Sequence, residues 1–266
     1  MNLVITGSST GIGKFLADSL AAQGHAICRI ARSAQEGFAL RCDVSNWREV
    51  EACATTVAQE WKHVDGLLCC AGVQEPIGPA MEMDPAAWRA TLAVNLDGTF
   101  FSIRAFYPLL CKSSCRAKVI CFPGGGSTSP RPNFAAYGVS KTGVVRLVET
   151  LAFEWQNQPP DINAVGPGAI FTRMTEQVLA SGATAAGQEE FDQASKLPRD
   201  NAPALQKVLG LVEFLLSEKS NGISGKLISA PWDPWPQFDA HREELAGSDI
   251  YTLRRIVPED RGKKWS

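Results

Sequence analysis

No stretch of the 266-residue chain approaches the roughly 20 consecutive apolar residues that a membrane-spanning helix needs, which excludes a membrane span. Charge of one sign is also missing. The 26 Lys and Arg against 28 Asp and Glu leave a formal net charge of −2, which gives no reason to expect nucleic acid or an anionic membrane as a partner. Histidine is scarce, and His25, His63 and His241 stand outside any recognisable catalytic context. The opening MNLVITGSS runs straight into apolar residues with no charged leader, so no signal or transit peptide is visible and a cytoplasmic protein is expected. Of eight cysteines, Cys111 and Cys115 lie close in sequence, but no second Cys or His pair completes a metal site. Cys28, Cys69, Cys70 and Cys121 fall in or beside apolar runs, where reduced cysteine behaves as a small apolar residue.

What is present alternates. Strand-like runs at 2–6, 26–30, 39–42, 66–70, 118–122, 161–165 and 225–230 are separated by segments of helical periodicity, among them 46–61, a long helix over 85–110, 134–155 and 203–217. Strand, helix, strand repeated this often predicts an α/β fold: a parallel sheet with helices on both faces, in one domain over 1–230. Two segments stand outside the alternation, 173–202, expected to be a substrate loop, and a C-terminal extension, 231–266.

Two local features carry chemistry. "TGSSTGIG" at 6–13 follows a strand and opens a helix, so its glycines allow a tight turn and a close approach to phosphates at a helix N-terminus. Tyr137 and Lys141 stand four residues apart, on one face of a helix. A tyrosine is a poor acid or base near neutrality, with a pKa of about 10, unless a cation beside it lowers that value.

With "CDV" at 42–44, "CCAG" at 69–72, "VNLDG" at 94–98 and "NAVGPGAIFT" at 163–172, these motifs resemble, in order and spacing, the signatures of the short-chain dehydrogenase/reductase family. The resemblance covers 2 to about 230. It implies a Rossmann-type doubly wound sheet of about seven strands, a nicotinamide dinucleotide, and hydride transfer at a carbonyl or alcohol carbon. It also implies Tyr137 as general acid/base, Lys141 as the cation lowering its pKa and holding the nicotinamide ribose, and Asn95 as the anchor of a water relay. Gly7, Ser9, Ile12 and Gly13 would cradle the pyrophosphate, Asp43 and Val44 would meet the adenine, and Ala71 and Gly72 would pass beneath the ribose. Thr172, after Pro167 and Gly168, would hold the carboxamide. Family members commonly form dimers or tetramers, so a homo-oligomer is implied.

Two departures matter. At the end of the second strand, where an acidic residue would favour NAD, the chain has Arg32 and Ser33; an arginine complements a 2′-phosphate, so NADP is expected, with NAD as the alternative. Lys14 agrees weakly with that charge balance, and the link from Arg32 to Asp43 is too short for the family's usual helix. Thirteen residues before Tyr137, where the family places a serine or threonine, stands Gly124. Either Ser127, Thr128, Ser129 or a backbone N–H stands in, or catalysis is weakened.

Trp232, Trp235 and Phe238 are expected to pack on the body or a neighbouring subunit, and Arg254, Arg255, Arg261, Lys263 and Lys264 make a basic end that meets a phosphorylated substrate or stays solvated. "SDIYTLRRI" is similar to the ends of family members associated with polysaccharide and nucleotide-sugar metabolism. Two functions are thus expected: an NAD(P)-dependent oxidoreductase acting on a small molecule such as a sugar derivative, or a dinucleotide-binding regulatory homologue with weak catalysis.

Overall fold

The computed structural model describes residues 1–33, 36–156 and 158–265. Seven strands form one parallel sheet: β1 (Asn2–Thr6), β2 (Ala26–Ala31), β3 (Ala39–Arg41), β4 (Gly66–Cys69), β5 (Lys118–Cys121), β6 (Asp161–Gly166) and β7 (Leu227–Ser229), in the order β3-β2-β1-β4-β5-β6-β7. The order reverses between β1 and β4, which opens a crevice beyond their carboxyl ends. The central strands are mostly apolar because helices cover both faces. Helices α1 (Gly11–Ala22) and α8 (Ala202–Leu216) pack Leu16, Leu20, Val208 and Val212 on one face; α2 (Trp47–Glu60), α4 (Gly98–Leu110) and α5 (Ala135–Glu154) bring Val57, Phe106, Val144 and Val148 to the other. No helix among the described residues is long and apolar enough to cross a membrane.

The structure alters three expectations. The helix expected over 85–110 is two, α3 (Pro85–Leu92) and α4, joined by a π-helical turn over Ala93–Asp97. The wider turn carries the wholly buried Asn95, and just after it Gly98 lies so close to α2's approach that a Cβ there would sit 2.7 Å from Val44 Cγ2. The 173–202 segment is not a plain loop but two helices, α6 (Arg173–Ala186, interrupted at Gly182) and α7 (Gln188–Lys196). Trp232, expected to pack on the body or a neighbouring subunit, does not pack on the body: it is 78% exposed on the single chain. Its neighbours do pack: Phe238 is buried, and Trp235 donates to the Ala230 carbonyl at 3.1 Å.

The extension has a structural task. Leu227 N donates to Tyr251 O at 2.8 Å, Lys226 Nζ to Ser248 O at 2.7 Å, and Arg146 Nη2 to Leu253 O at 2.7 Å. Residues 248–253 thereby strap α5 to the outer side of β7, an edge that would otherwise present unpaired backbone groups.

At the opposite end of the sheet from the crevice, Lys118 and Asp161, 3% and 1% exposed, pair at 2.8 Å across β5 and β6. Asp161 also takes Arg116 at 2.8 Å and Gly222 N at 3.1 Å. Asp161→Ala leaves Lys118 buried without its counter-charge, and a loss of about 3–5 kcal/mol is expected in urea unfolding; a loss under about 1 kcal/mol would show that the pair does not hold these strands together.

Candidate active site

The crevice contains a cavity of about 690 Å³. Its walls come from the Gly-rich loop after β5 (Pro123–Arg131), the N-terminal turns of α5, the loop after β6, and α6 and α7. Tyr137, Lys141, Ile12, Gly72, Pro167, Gly168 and Thr172 of the expected site residues line it. The others stand behind or beside it.

Tyr137 is 6% exposed and Lys141 4%. One helical turn on α5 brings the Lys141 Nζ to 5.8 Å from the centre of the Tyr137 ring. The ammonium donates to the Phe122 carbonyl at 3.0 Å, at the end of β5. Burial pulls the Lys141 amine down to about 8, opposed by the neighbouring sulfurs of Cys121, Cys70 and Cys69. Burial pushes the Tyr137 phenol above its ordinary value, and the charge opposing that rise is Arg131.

Asn95 holds this arrangement together from behind. Its side-chain oxygen accepts from Val73 N at 2.8 Å, its amide donates to Val73 O at 2.8 Å and to Ser140 Oγ at 2.9 Å, and Ser140 Oγ donates to the Tyr137 carbonyl at 2.8 Å. The Asn95 backbone carbonyl accepts from Thr99 Oγ1. Gly72 lies between: a Cβ there would come within 3.2 Å of Lys141 Nζ and 3.3 Å of Asn95 Oδ1.

The glycine motif is shaped for a ligand that needs backbone close by. Gly7 has φ +67°, and a Cβ on it would meet Ala71 at 2.6 Å; Gly13 likewise packs against the Gly7 carbonyl. Ser8 Oγ donates to Ile30 O at 3.2 Å, pinning the loop to β2. The first turn of α1 has no side-chain cap and no acidic residue, so its N–H groups and its positive end are left for an anion. Ser9 and Ile12 are half-buried on this loop.

Arg32 and Ser33 are exposed just beyond β2. Burial raises the Asp43 carboxyl, but hydrogen bonds from Ser45 and the charge of Arg32 outweigh it and hold it below the usual carboxylate range. Val44 is buried under Gly98. The described residues between Arg32 and β3 contain no helix; Ala34 and Gln35 lie outside the described residues. Lys14 pairs with Asp18 at 2.5 Å.

Gly124 lies directly against the Tyr137 hydroxyl, well inside the distance at which a Cβ could be added. The loop does not simply lack a side chain; the phenol occupies its place. Ser127 N closes a turn onto Gly124 O at 3.2 Å, and Ser127, Thr128 and Ser129 line the same cavity. In the Cys69-Cys70 stretch, Cys69 stands opposite Cys121 in register across β4 and β5. All eight cysteines are free.

Several cavity residues were not found from sequence. Gln74, Arg131, Glu190, Gln193, Trp232 and Asp233 line it. Arg131 Nε and Nη2 form a two-pronged pair with Glu190 Oε1 and Oε2, each at 2.8 Å, which joins the Gly-rich loop to α7. Proximity of Arg131 to Tyr137 in the chain was its one available signal; Glu190 had none. None of Arg254, Arg255, Arg261, Lys263 and Lys264 lines the cavity, and Arg254 is paired with Asp249 and Asp260.

Residues 7–230 match the family described as Enoyl-(Acyl carrier protein) reductase. The chain belongs to the short-chain dehydrogenase/reductase family. It is thus an NAD(P)-dependent oxidoreductase by family. It is 34% identical to galactitol 2-dehydrogenase (L-tagatose-forming) of Cereibacter sphaeroides over 64% of this chain and 72% of that protein. It is 30% identical to D-threitol dehydrogenase of Mycolicibacterium smegmatis over 64% of this chain and 70% of that protein. Among solved structures, a short chain dehydrogenase from Shigella flexneri complexed with NADP matches with a TM-score of 0.74 and 21% identity, covering 86% of this chain and 96% of that one.

Two outcomes are expected at this short-chain dehydrogenase/reductase site. Gly124→Ser, the residue type usual in the family, forces Tyr137 to move and destabilises the fold by about 1–3 kcal/mol in urea unfolding; unchanged stability would mean that the hydroxyl has other room. The depressed Lys141 amine sets a pH dependence. Between about pH 8 and the ordinary lysine value the unfolded chain holds a proton that the folded one has lost, so stability rises with pH through that window. Unfolding of the cofactor-free protein should show the wild type gaining on Lys141→Met as pH rises from 8 toward 10, and a gain on lowering the pH instead would contradict the burial account.

Proposed function

We propose that the protein is an NADP-dependent oxidoreductase that interconverts a carbonyl and a hydroxyl on a polyhydroxylated substrate of the sugar or sugar-alcohol class. The observation that carries this reading is the buried Tyr137 and Lys141, one helical turn apart and lining one cavity with Ile12 of the glycine motif. The close backbone at Gly7 and Gly13 and the uncapped start of α1 fit a dinucleotide diphosphate. Gly7, Ser9, Ile12 and Gly13 would hold it, with Asp43 and Val44 at the adenine, Ala71 and Gly72 along the ribose, and Pro167, Gly168 and Thr172 at the carboxamide. Arg32 and Ser33 support NADP over NAD, as does the NADP in a structure of the same fold.

When bound, the cofactor supplies or accepts the hydride. Tyr137 gives its proton to the carbonyl oxygen during reduction and takes it from the hydroxyl during oxidation. Lys141, held at the Phe122 carbonyl, reaches toward the ribose and steadies the charge left on the phenol. Asn95 keeps both on α5 at this depth and anchors the water path to solvent. The mixed donors and acceptors of Gln74, Ser127, Thr128, Gln193 and Asp233 suit a substrate rich in hydroxyls, and the names of the threitol and galactitol dehydrogenases point the same way. The exposed Phe100, Val139 and Phe153 on α4 and α5 support pairing of two copies, read directly by sedimentation. Free cysteines suit the reducing cytoplasm.

The test is NADPH and NADH oxidation against keto-sugars, nucleotide-linked sugars and simple ketones. Tyr137→Phe is expected to lower turnover by about 10²-fold or more, and Arg32→Glu to weaken NADPH about tenfold relative to NADH. Tight cofactor binding with no turnover on any class would favour the second reading, a dinucleotide-binding homologue with weak catalysis, for which Gly124 speaks.

A further inference from the structure

Arg131 and Glu190 are not accounted for by this reaction. Arg131 lies in the Gly-rich loop, its guanidinium carbon 3.8 Å from the centre of the Phe134 ring and 5.6 Å from that of Tyr137. Its side chain is 16% exposed and that of its partner Glu190 27%, so the pair is partly withdrawn from water, and solvent screens it less than it would a surface pair. The close approach of the loop is allowed by two glycines. Gly126 has φ +87° and a Cβ there would lie 3.2 Å from the Arg131 Cβ, while Gly124 lets the Tyr137 hydroxyl rest on the loop itself.

Lys141, its ammonium on the Phe122 carbonyl, lies 5.8 Å from the centre of the same Tyr137 ring. The charged and titratable groups that share the cavity with Tyr137 are Lys141 on its own helix, Arg131 on the loop after β5, Glu190 on α7, Cys70 beyond β4 and Asp233 beyond β7. Asp233 is turned to Ser229 N, at 2.6 Å, and burial raises its carboxyl; burial likewise keeps the Cys70 thiol protonated. Arg131 and Glu190 are left as the charges that act on the phenol from the substrate side.

We propose that Arg131 is a positioning residue that sets the acidity of Tyr137, and that Glu190, carried on α7, holds Arg131 in place and moderates its charge. The replacement of the usual serine by Gly124 is what makes this possible, because the phenol leans on the loop that bears the arginine. The proposal rests on Tyr137 as the acid/base group. Its electrostatics have a definite sign. The guanidinium stabilises the phenolate, and the carboxylate opposes it. Burial raises the phenol and Arg131 lowers it, the sign the proposal requires.

The experiment follows the phenol directly, without cofactor or substrate. The chain has only three tyrosines, so fluorinated tyrosine can be incorporated throughout and the Tyr137 fluorine resonance assigned from the Tyr137→Phe protein. Fluorination lowers the phenol's ionisation into the pH range where the protein stays folded. Arg131→Gln is expected to raise the ionisation midpoint by about half to one pH unit, Arg131→Lys to stay near wild type, and Glu190→Gln to lower it by about a few tenths. The opposite signs separate charge from structure, because a pair that merely latched α7 would shift both variants the same way on opening the cavity to water. Midpoints that coincide with wild type, or shifts of one sign in both variants, would each overturn the proposal. Since no turnover is read, such a failure leaves the proposed reaction to its own assay.

Discussion

The site depends on one buried hydrogen bond, from the Lys141 ammonium to the Phe122 carbonyl at the end of β5. A lysine that is 4% exposed gives up its hydration, and a fixed carbonyl returns only part of it. The bond therefore needs α5 to lie at one height across the end of the sheet. Everything else that positions the site serves that height. The π-helical turn places Asn95 where it can tie Val73 to Ser140, and Ser140 in turn holds the first turn of α5 through the Tyr137 carbonyl. Thr142 Oγ1, on the next turn, donates to the Gly126 and Ser127 carbonyls and keeps the Gly-rich loop against the same helix.

The Gly-rich loop and helices α6 and α7 are the adaptable part. The sheet's parallel strands end together at the crevice, so the loops after β5 and β6 face one another across it, and a chemistry can be retuned there without disturbing the core. In this chain the retuning consists of removing a side chain at Gly124, admitting the phenol into its place, and closing the far wall with the pair of Arg131 and Glu190. The cavity is consequently walled by charge on its substrate side and by thiols behind Lys141. The C-terminal extension straps the β7 edge and reaches the cavity only at its start, through Trp232 and Asp233.

Sequence by itself determined the seven strands, the glycine turn and the spacing of Tyr137 and Lys141, because each is written in local pattern: apolar runs of strand length, glycines between a strand and a helix, and two side chains one turn apart. It also revealed the missing hydroxyl at Gly124 and the short link after Arg32. Tertiary structure alone decided what fills the space at Gly124, why the helix over 85–110 breaks, and that Trp232 does not pack on the body of its own chain. It alone brought Glu190 to Arg131, 59 residues apart in the chain. Those outcomes depend on which loops meet across the crevice and on the room left between them, and neither the period of a helix nor the composition of a segment records distances between parts of the chain that touch only after folding.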